Sequence, residues 1–202
     1  NSAAHTDITR AAGDYAATKN SWTSTVLGGI PILNNGVDAP QMWMLSLASP
    51  AIALTNWPVN ATCASMRTYK NSLIAMDVTA PPAIAITSIT RVGTTATLTT
   101  TAAHGLSNGN TVRIAGATPT QYNGTYVIGG VTATTFTYTM ASDPGASASP
   151  VGFLYGGTPV RRPYMVKWSH PADPGSVPST WETTDTTKDA GELDLSDGYG
   201  YI

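Results

Sequence analysis

The chain has 202 residues, only 11% of them charged, and its formal net charge is −2 at pH 7. It therefore lacks the basic excess by which proteins bind nucleic acid electrostatically. Thr, Ala, Ser and Gly dominate the sequence. Low charge with many β-branched residues favours a β-rich subunit whose surfaces are covered by neighbours, over an ordinary secreted β protein.

Sequence features exclude several other classes of protein. The single cysteine, Cys63, rules out an internal disulfide framework. No stretch approaches the ~20 apolar residues of a membrane-spanning helix, so no membrane anchor is expected. The first residues lack a basic start and an apolar run, so no signal peptide is expected. The absence of an initiator Met predicts either an internal piece of a longer chain or a cleaved N-terminus.

The residues before position 80 have the pattern of short strands joined by tight turns. Gly28 and Gly29 predict a turn, residues 30–33 a strand, and residues 34–36 a second turn, because Asn and Gly accept positive φ easily. Pro31 lacks a backbone donor, which predicts that its strand lies at a sheet edge. Further strands are predicted at residues 64–69 and 73–78.

The strand at residues 73–78 lacks the partner that a meander would supply after a short turn. The next strand that matches it is Tyr164 to Trp168, where side chains alternate with a period of two. We predict that these two strands pair as a hairpin and that residues 81–157 form a domain inserted at its turn, since lengthening a surface loop costs little. The host domain then comprises residues 1–80 and 158–202.

The inserted segment consists almost entirely of strand and turn signals. Six short strands in fewer than 80 residues predict a small β-barrel or sandwich. The fold class expected for the whole chain is therefore all-β. After Trp168, three prolines stiffen a loop that ends at Trp181, and we expect a rigid corner with both tryptophan rings packed.

The C-terminal part of the chain is acidic. Glu192 and Asp194 alternate with Leu193 and Leu195, which predicts a strand with one wet face. The acidic residues here (Asp185, Asp189, Glu192, Asp194 and Asp197) allow two interpretations: a cation site for calcium, which prefers several oxygen ligands, or a solvated surface. The pairs Glu192/Asp194 and Glu182/Asp185 are weak candidates for a glycosidase, because acids on an exposed strand face are ordinary.

No residue pattern predicts a catalytic site. The three histidines, His5, His104 and His170, do not stand at metal-ligand spacing from Cys63, a Glu or one another. No nucleophile elbow, phosphate loop or dinucleotide fingerprint is present. His104 and His170 precede Gly and Pro and are expected in turns, and Cys63 is expected in the core. We therefore predict no enzyme activity, no cofactor and no metal.

Two resemblances add to these inferences. The segments at residues 104–116, 122–127 and 135–138 resemble the small β-barrel of phage tail and fibre proteins, which is also similar to a domain inserted in ubiquitin-activating enzymes. This resemblance implies a structural module without chemistry of its own. Residues 29–41, 69–75, 166–169 and 190–195 resemble the β-propeller of the tail nozzle (tail tubular) family of short-tailed phages.

The second resemblance implies a function. It implies a virion protein of the phage tail that forms a ring of six copies, contacts the tail adaptor and fibres, and conducts DNA without sequence-specific binding. The host domain would then be a partial β-propeller. Two alternatives stay open: a receptor-binding fibre or spike component, in which the insert would contact host glycans or protein, and a virion hydrolase.

Overall fold

The computed structural model describes residues 7–11, 13, 15–16 and 22–195, and the chain is all-β over this part. It forms fifteen strands and a single 3-10 helix, Thr120–Tyr122. The strands are β1 (Thr23–Leu27), β2 (Ile30–Asn34), β3 (Gln41–Met42), β4 (Ile52–Ala53), β5 (Thr62–Tyr69), β6 (Ser72–Ala80), β7 (Ala83–Ile84), β8 (Ile86–Val92), β9 (Thr95–Thr100), β10 (Thr111–Ala115), β11 (Gly124–Val127), β12 (Thr135–Thr139), β13 (Phe153–Tyr155), β14 (Val160–Trp168) and β15 (Gly191–Asp194).

The chain divides into two compact units. The inserted unit is Pro81–Val160, and the host unit comprises the residues up to Ala80 and from Arg161 onward. The predicted domain limits, 81–157 and 158–202, place the second boundary three residues earlier than this division. Strand β14 begins at Val160, four residues before the strand start that the alternation indicated, and the division falls directly after its first residue.

The host unit contains two four-stranded antiparallel meanders. In the first-meander sheet the order is β1-β2-β3-β4, and in the second-meander sheet it is β5-β6-β14-β15. The turn between β1 and β2 consists of Gly28 and Gly29 at φ +55° and +92°. Positive φ at both positions is what a two-residue hairpin turn of type I′ requires, which explains why glycines stand there.

The prediction that Pro31 marks an edge strand is wrong. Strand β2 is internal, because it pairs with β1 on one side and with β3 on the other. Pro31 is tolerated since β3 ends at Met42, beside Ile32. Only the N–H of Trp43 continues the ladder, donating to the Pro31 carbonyl at 3.1 Å. A backbone N–H at position 31 would point to the end of this ladder, where β3 has already ended, so its absence in proline costs no strand pairing.

The two meanders share one core. Their buried side chains include Leu27 and Ile32 from the first sheet and Met66 and Leu73 from the second. Side chains of this size each contribute ~1.5–3 kcal/mol when buried. Trp181 is also buried in this core, where its ring meets Trp57 edge-on at a centroid distance of 4.8 Å.

Strand β1 lies against β5. The Thr25 hydroxyl donates to Thr68 Oγ1 at 2.9 Å and accepts the Thr68 N–H at 3.0 Å. Asn34, the last residue of β2, also reaches β5: its Nδ2 donates to the Cys63 carbonyl at 3.0 Å. The first strand of each meander therefore contacts the first strand of the other.

The inserted unit is built from two sheets around a second core. One sheet has the order β11-β10-β13-β7 and the other the order β12-β9-β8. Leu98, Ile114, Tyr122, Phe136 and Leu154 are among the side chains buried in this core. The structure has seven strands here where six were predicted, because residues 83–92 form two strands, β7 and β8.

Candidate functional site

The predicted hairpin between β6 and β14 is confirmed, since the two strands are neighbours in the second-meander sheet. The Ser169 N–H donates to the Leu73 carbonyl at 3.0 Å at one end of the pair. At the other end Arg161 Nε donates to Asp77 Oδ1 at 2.8 Å. Contacts that join 73 to 169 and 77 to 161 mean that the strands run in opposite directions.

The alternation in β14 places its more apolar residues outside. Met165 and Lys167 are buried and face the shared core, whereas Tyr164 is 50% exposed. Val166 and Trp168, at the same parity as Tyr164, also face outward. Trp168 thus does not join Trp181 in the core, as the expected corner required; its Nε1 donates to the Asp189 carbonyl at 2.8 Å.

Neighbouring strands extend this apolar surface. Leu193 is paired with Val166 and is 54% exposed. The Leu195 N–H donates to the Tyr164 carbonyl, which continues the same register. On β6 the outward positions Ile74 and Met76 follow the same pattern. We name this set the outer apolar face: Ile74, Met76, Tyr164, Val166, Trp168, Leu193 and Leu195.

Charged side chains lie at the margins of the outer apolar face, and the exposed Arg161 of β14 pairs with Asp77 of β6 beside it. Arg67 stands on the edge strand β5, opposite Ile74, and Arg162 stands near the beginning of β14. Lys167 faces inward instead, where its Nζ meets Glu192 Oε2 at 2.7 Å. An antiparallel sheet with one solvated face normally alternates apolar and polar residues. A sheet that is apolar on both faces is expected to be covered on both.

The first-meander sheet has an outer surface of related character. None of its four strands contains a charged residue. Thr25 and Leu27 face the core, so Ser24 and Val26 face outward, and Val26 is 57% exposed. Val26 is paired with Pro31 and Ser24 with Leu33. We name this set (Ser24, Val26, Pro31, Leu33) the uncharged outer face.

His104 and His170 have structural surroundings, and His5 lies outside the described residues. The Leu106 N–H donates to His104 Nδ1 at 3.1 Å, and His104 Nε2 lies 3.4 Å from the Thr135 carbonyl. The proton of the neutral ring is therefore assigned to Nε2. His170 Nδ1 accepts the Asp189 N–H at 3.1 Å. The His104 ring holds a loop against β12, and the His170 ring joins two loop segments.

Cys63 is buried in the core of the host unit. Burial, with a smaller contribution from the Asp77 carboxylate, raises the pKa of its thiol to about 12. The thiolate is the reactive and metal-binding form of cysteine. Cys63 is therefore protonated at neutral pH and acts as a small core residue.

The acidic residues do not converge on a cation site. Among the described residues no three side chains of His, Cys, Asp or Glu come close enough to hold a metal ion. Asp185 accepts from the hydroxyl and the N–H of Thr187, and these bonds lower the pKa of its carboxyl. Glu192 pairs with Lys167. Asp197 falls outside the described part.

The inserted unit has one notable polar feature. Its Asp, Glu, Lys and Arg residues are Arg91, Asp143 and Arg113. Arg91 and Asp143 form an ion pair at 2.7 Å. Arg113 lies in the central strand β10, and its guanidinium carbon is 4.2 Å from the centre of the Tyr155 ring on β13. Phe153, two residues before Tyr155, is 50% exposed.

Comparisons with known proteins identify no relative. No protein-family model matches the chain, and no curated protein or solved structure matches it either. Within the described residues, no helix is long and apolar enough to cross a membrane. The geometry of the two outer faces is therefore the main basis for a functional assignment.

Proposed function

We propose that the chain is a structural subunit of a phage tail nozzle, and that its host unit is part of a β-propeller. One observation supports this above all others: two consecutive four-stranded antiparallel meanders stack face to face. Propellers are built from such four-stranded sheets arranged around a channel. The insertion within the second meander leaves its strand order unchanged, so the meander remains a complete blade.

The contact between β1 and β5 agrees with this proposal. Sheets that radiate from a common axis come closest at their innermost strands, which in a propeller are the first strands of each blade. Thr25 on β1 and Thr68 on β5 bond directly, at 2.9 Å and 3.0 Å. A propeller also leaves no sheet face open, because each blade is covered by the next. The outer apolar face has the character expected of a blade surface that a neighbouring blade would cover.

The proposed role is mechanical rather than chemical. The subunits would form a ring, six copies by the family resemblance, at the tail of the virion, with the adaptor and fibres as neighbours and DNA passing through the lumen. Acidic side chains such as Asp185 and Asp189 on the lumen wall would repel phosphates and keep DNA mobile. This role requires no catalytic group, cofactor or metal ion.

Electron microscopy of native particles tests the proposal. Particles are labelled with gold-conjugated antibody fragments raised against the inserted unit. We expect gold at the tip of the tail in symmetric numbers, and purified subunits are expected to form rings with a central hole. Gold on the capsid or along long fibres, with none at the tail tip, would contradict the assignment to the tail nozzle.

The surface around Arg113 favours a second candidate, a receptor-binding fibre component. An exposed Phe153 beside an arginine stacked on Tyr155 offers an aromatic surface and a cation, which suits an acidic glycan. Binding of the chain to immobilised acidic polysaccharide, and its loss in Phe153→Ser, would support this role. A trimer with no lumen would favour it over the nozzle.

A further inference from the structure

We propose that the outer apolar face binds the uncharged outer face of a second copy of this chain, so that copies stack head to tail. This inference rests on the proposed function and deepens it by naming the two surfaces that join subunits. The partner is another copy, and its contact surface is the outside of its first-meander sheet. Three observations support this choice.

The first observation is the arrangement inside a single chain. The inner side of the second-meander sheet is already covered by a first-meander sheet, with β1 beside β5. A first-meander sheet therefore has the width and twist that match this sheet. A second one on the opposite side would stack in the same way, but through the outer instead of the inner faces of both sheets, and stacked sheets lie ~10 Å apart in both cases.

The second observation is the chemistry of the two faces. Leu193, Tyr164 and Met76 are exposed over 54%, 50% and 37% of their surface. Opposite them would lie Val26, 57% exposed, with Pro31 and Leu33. Because the first-meander strands contain no charged residue, Arg67 and Arg162 at the margins would meet no like charge. Exposed apolar patches of this kind mark protein interfaces.

The third observation is the number of open faces. Each copy has two outer faces, and they differ in composition. If the outer apolar face paired with itself, as in a two-fold dimer, the uncharged outer face would stay open in both copies. Head-to-tail stacking covers both faces of every copy. Such heterologous contacts close into rings when the rotation permits, which agrees with a subunit of a tail nozzle.

The size of the contact determines the conditions of the test. The uncharged outer face spans two strands, because β3 and β4 are two residues long and Gln41 of β3 is buried. A two-stranded face about 10 Å wide and about 18 Å long buries roughly 500–650 Å² in total, which is small for a stable interface. Association is therefore expected at micromolar concentrations. The full chain should be studied from about 1 µM to about 100 µM by light scattering and analytical ultracentrifugation.

Two substitutions separate the two sides of the contact. Val26→Lys alters the uncharged outer face, and Leu193→Lys alters the outer apolar face; both positions are more than half exposed. We expect the natural chain to form a species of three or more copies and each variant to be monomeric. An equimolar mixture of the variants should form a one-to-one dimer and nothing larger, because each retains one intact face.

Val92→Lys serves as the matched control. Val92 is 86% exposed at the end of β8 in the inserted unit, so this variant should assemble like the natural chain. Circular dichroism and thermal unfolding of all variants verify that the fold is retained. An alternative pair, Val26→Asn and Leu193→Asn, replaces the lysines if either lysine variant unfolds.

The outcomes are distinct. Dimerisation of Val26→Lys by itself would overturn the proposal in favour of self-pairing of the outer apolar face. A natural chain that stays monomeric over the whole range would overturn it as well. Rings that form equally well with both substitutions would also overturn it, yet would leave the nozzle assignment intact. Tail-tip labelling tests that assignment independently.

Discussion

Two sheets of this molecule differ in the kind of side chain that they place on their outward faces. In the three-stranded sheet of the inserted unit, strands β9 and β12 alternate buried apolar side chains with outward threonines. Thr95, Thr97 and Thr99 on β9 are paired with Thr139, Thr137 and Thr135 on β12. In the second-meander sheet, by contrast, leucine, valine and tyrosine occupy outward positions where the insert has threonine.

The difference indicates how far each unit depends on neighbours. The threonine face is β-branched, which suits a strand, and polar, which suits water. This face of the inserted unit therefore does not require a covering neighbour. The host unit buries one side of each sheet and leaves the other side apolar or uncharged, so its full stability is expected only in an assembly.

The largest expected effects come from core substitutions that separate the two units. Trp181→Ala should lower the free energy of unfolding of the host unit by about 3–5 kcal/mol, because it removes a fully buried ring. Phe136→Ala should cost the inserted unit a similar amount. All five tryptophans lie in the host unit, so their fluorescence follows this unit alone.

In urea titrations, Trp181→Ala should shift the fluorescence transition, whereas Phe136→Ala should shift only the transition seen by circular dichroism. A single transition that moves with both substitutions would show that the two units unfold together, and it would weaken the comparison.

The next effect concerns glycines. A Cβ at Gly191 would overlap the six-membered ring of Trp168 on the neighbouring strand. Gly191→Ala should therefore cost the host unit about 1–3 kcal/mol, since the ring must shift away from Asp189. Gly129→Ala is the control in the inserted unit, because no atom lies within 4 Å of its added Cβ. The control should change stability by less than about 0.5 kcal/mol.

Ion pairs should differ between the units as well. The Lys167 side chain is only 9% exposed where it meets Glu192, whereas Arg91 and Asp143 are 26% and 43% exposed. Glu192→Gln should cost about 1–2 kcal/mol and Asp143→Asn less than about 1 kcal/mol. Only the second effect should vanish in molar salt, where exposed pairs are screened. Equal costs would contradict the burial argument.

The smallest effect is a pH dependence confined to the host unit. The pKa of Cys63 is raised from 9.0 to about 12 on folding, so the unfolded chain loses this proton first. The stabilisation is fully present below pH ~9 and is lost as pH rises toward 12. Between pH 9 and pH 10 the loss amounts to about 1 kcal/mol.

Cys63→Ala should show a correspondingly shallower decline in the midpoint of tryptophan fluorescence over this pH range. Identical slopes for the two proteins would mean that the thiol does not experience the burial described.

Turn residues made much of this fold predictable. Pro81 and Pro163 bracket the insertion, and the strand at residues 73–78 has no partner after a short turn. Both signals locate the insertion from sequence, because loop closure and turn chemistry are local properties. The prediction that Pro31 marks an edge strand was wrong, because the short length of β3 is what allows a proline in the internal strand β2. Nothing near Pro31 in the sequence shows where another strand ends.

The candidate interface was less predictable. Alternation in β14 separates Tyr164 and Val166 from Met165 and Lys167, but it does not reveal which set faces the core. Composition alone would place the lysine outside. The structure reverses this, because Glu192 on the adjacent edge strand neutralises Lys167, and that pairing depends on a register set 25 residues away.

The position of the insertion also has a consequence for design. Ala80 ends β6 and Val160 begins β14, and these strands are adjacent in one sheet. The chain thus leaves the host and returns to it across a gap of about one strand spacing, ~5 Å. A foreign domain with similarly close termini can be exchanged at this junction, which makes the hairpin a natural attachment point for displaying other proteins.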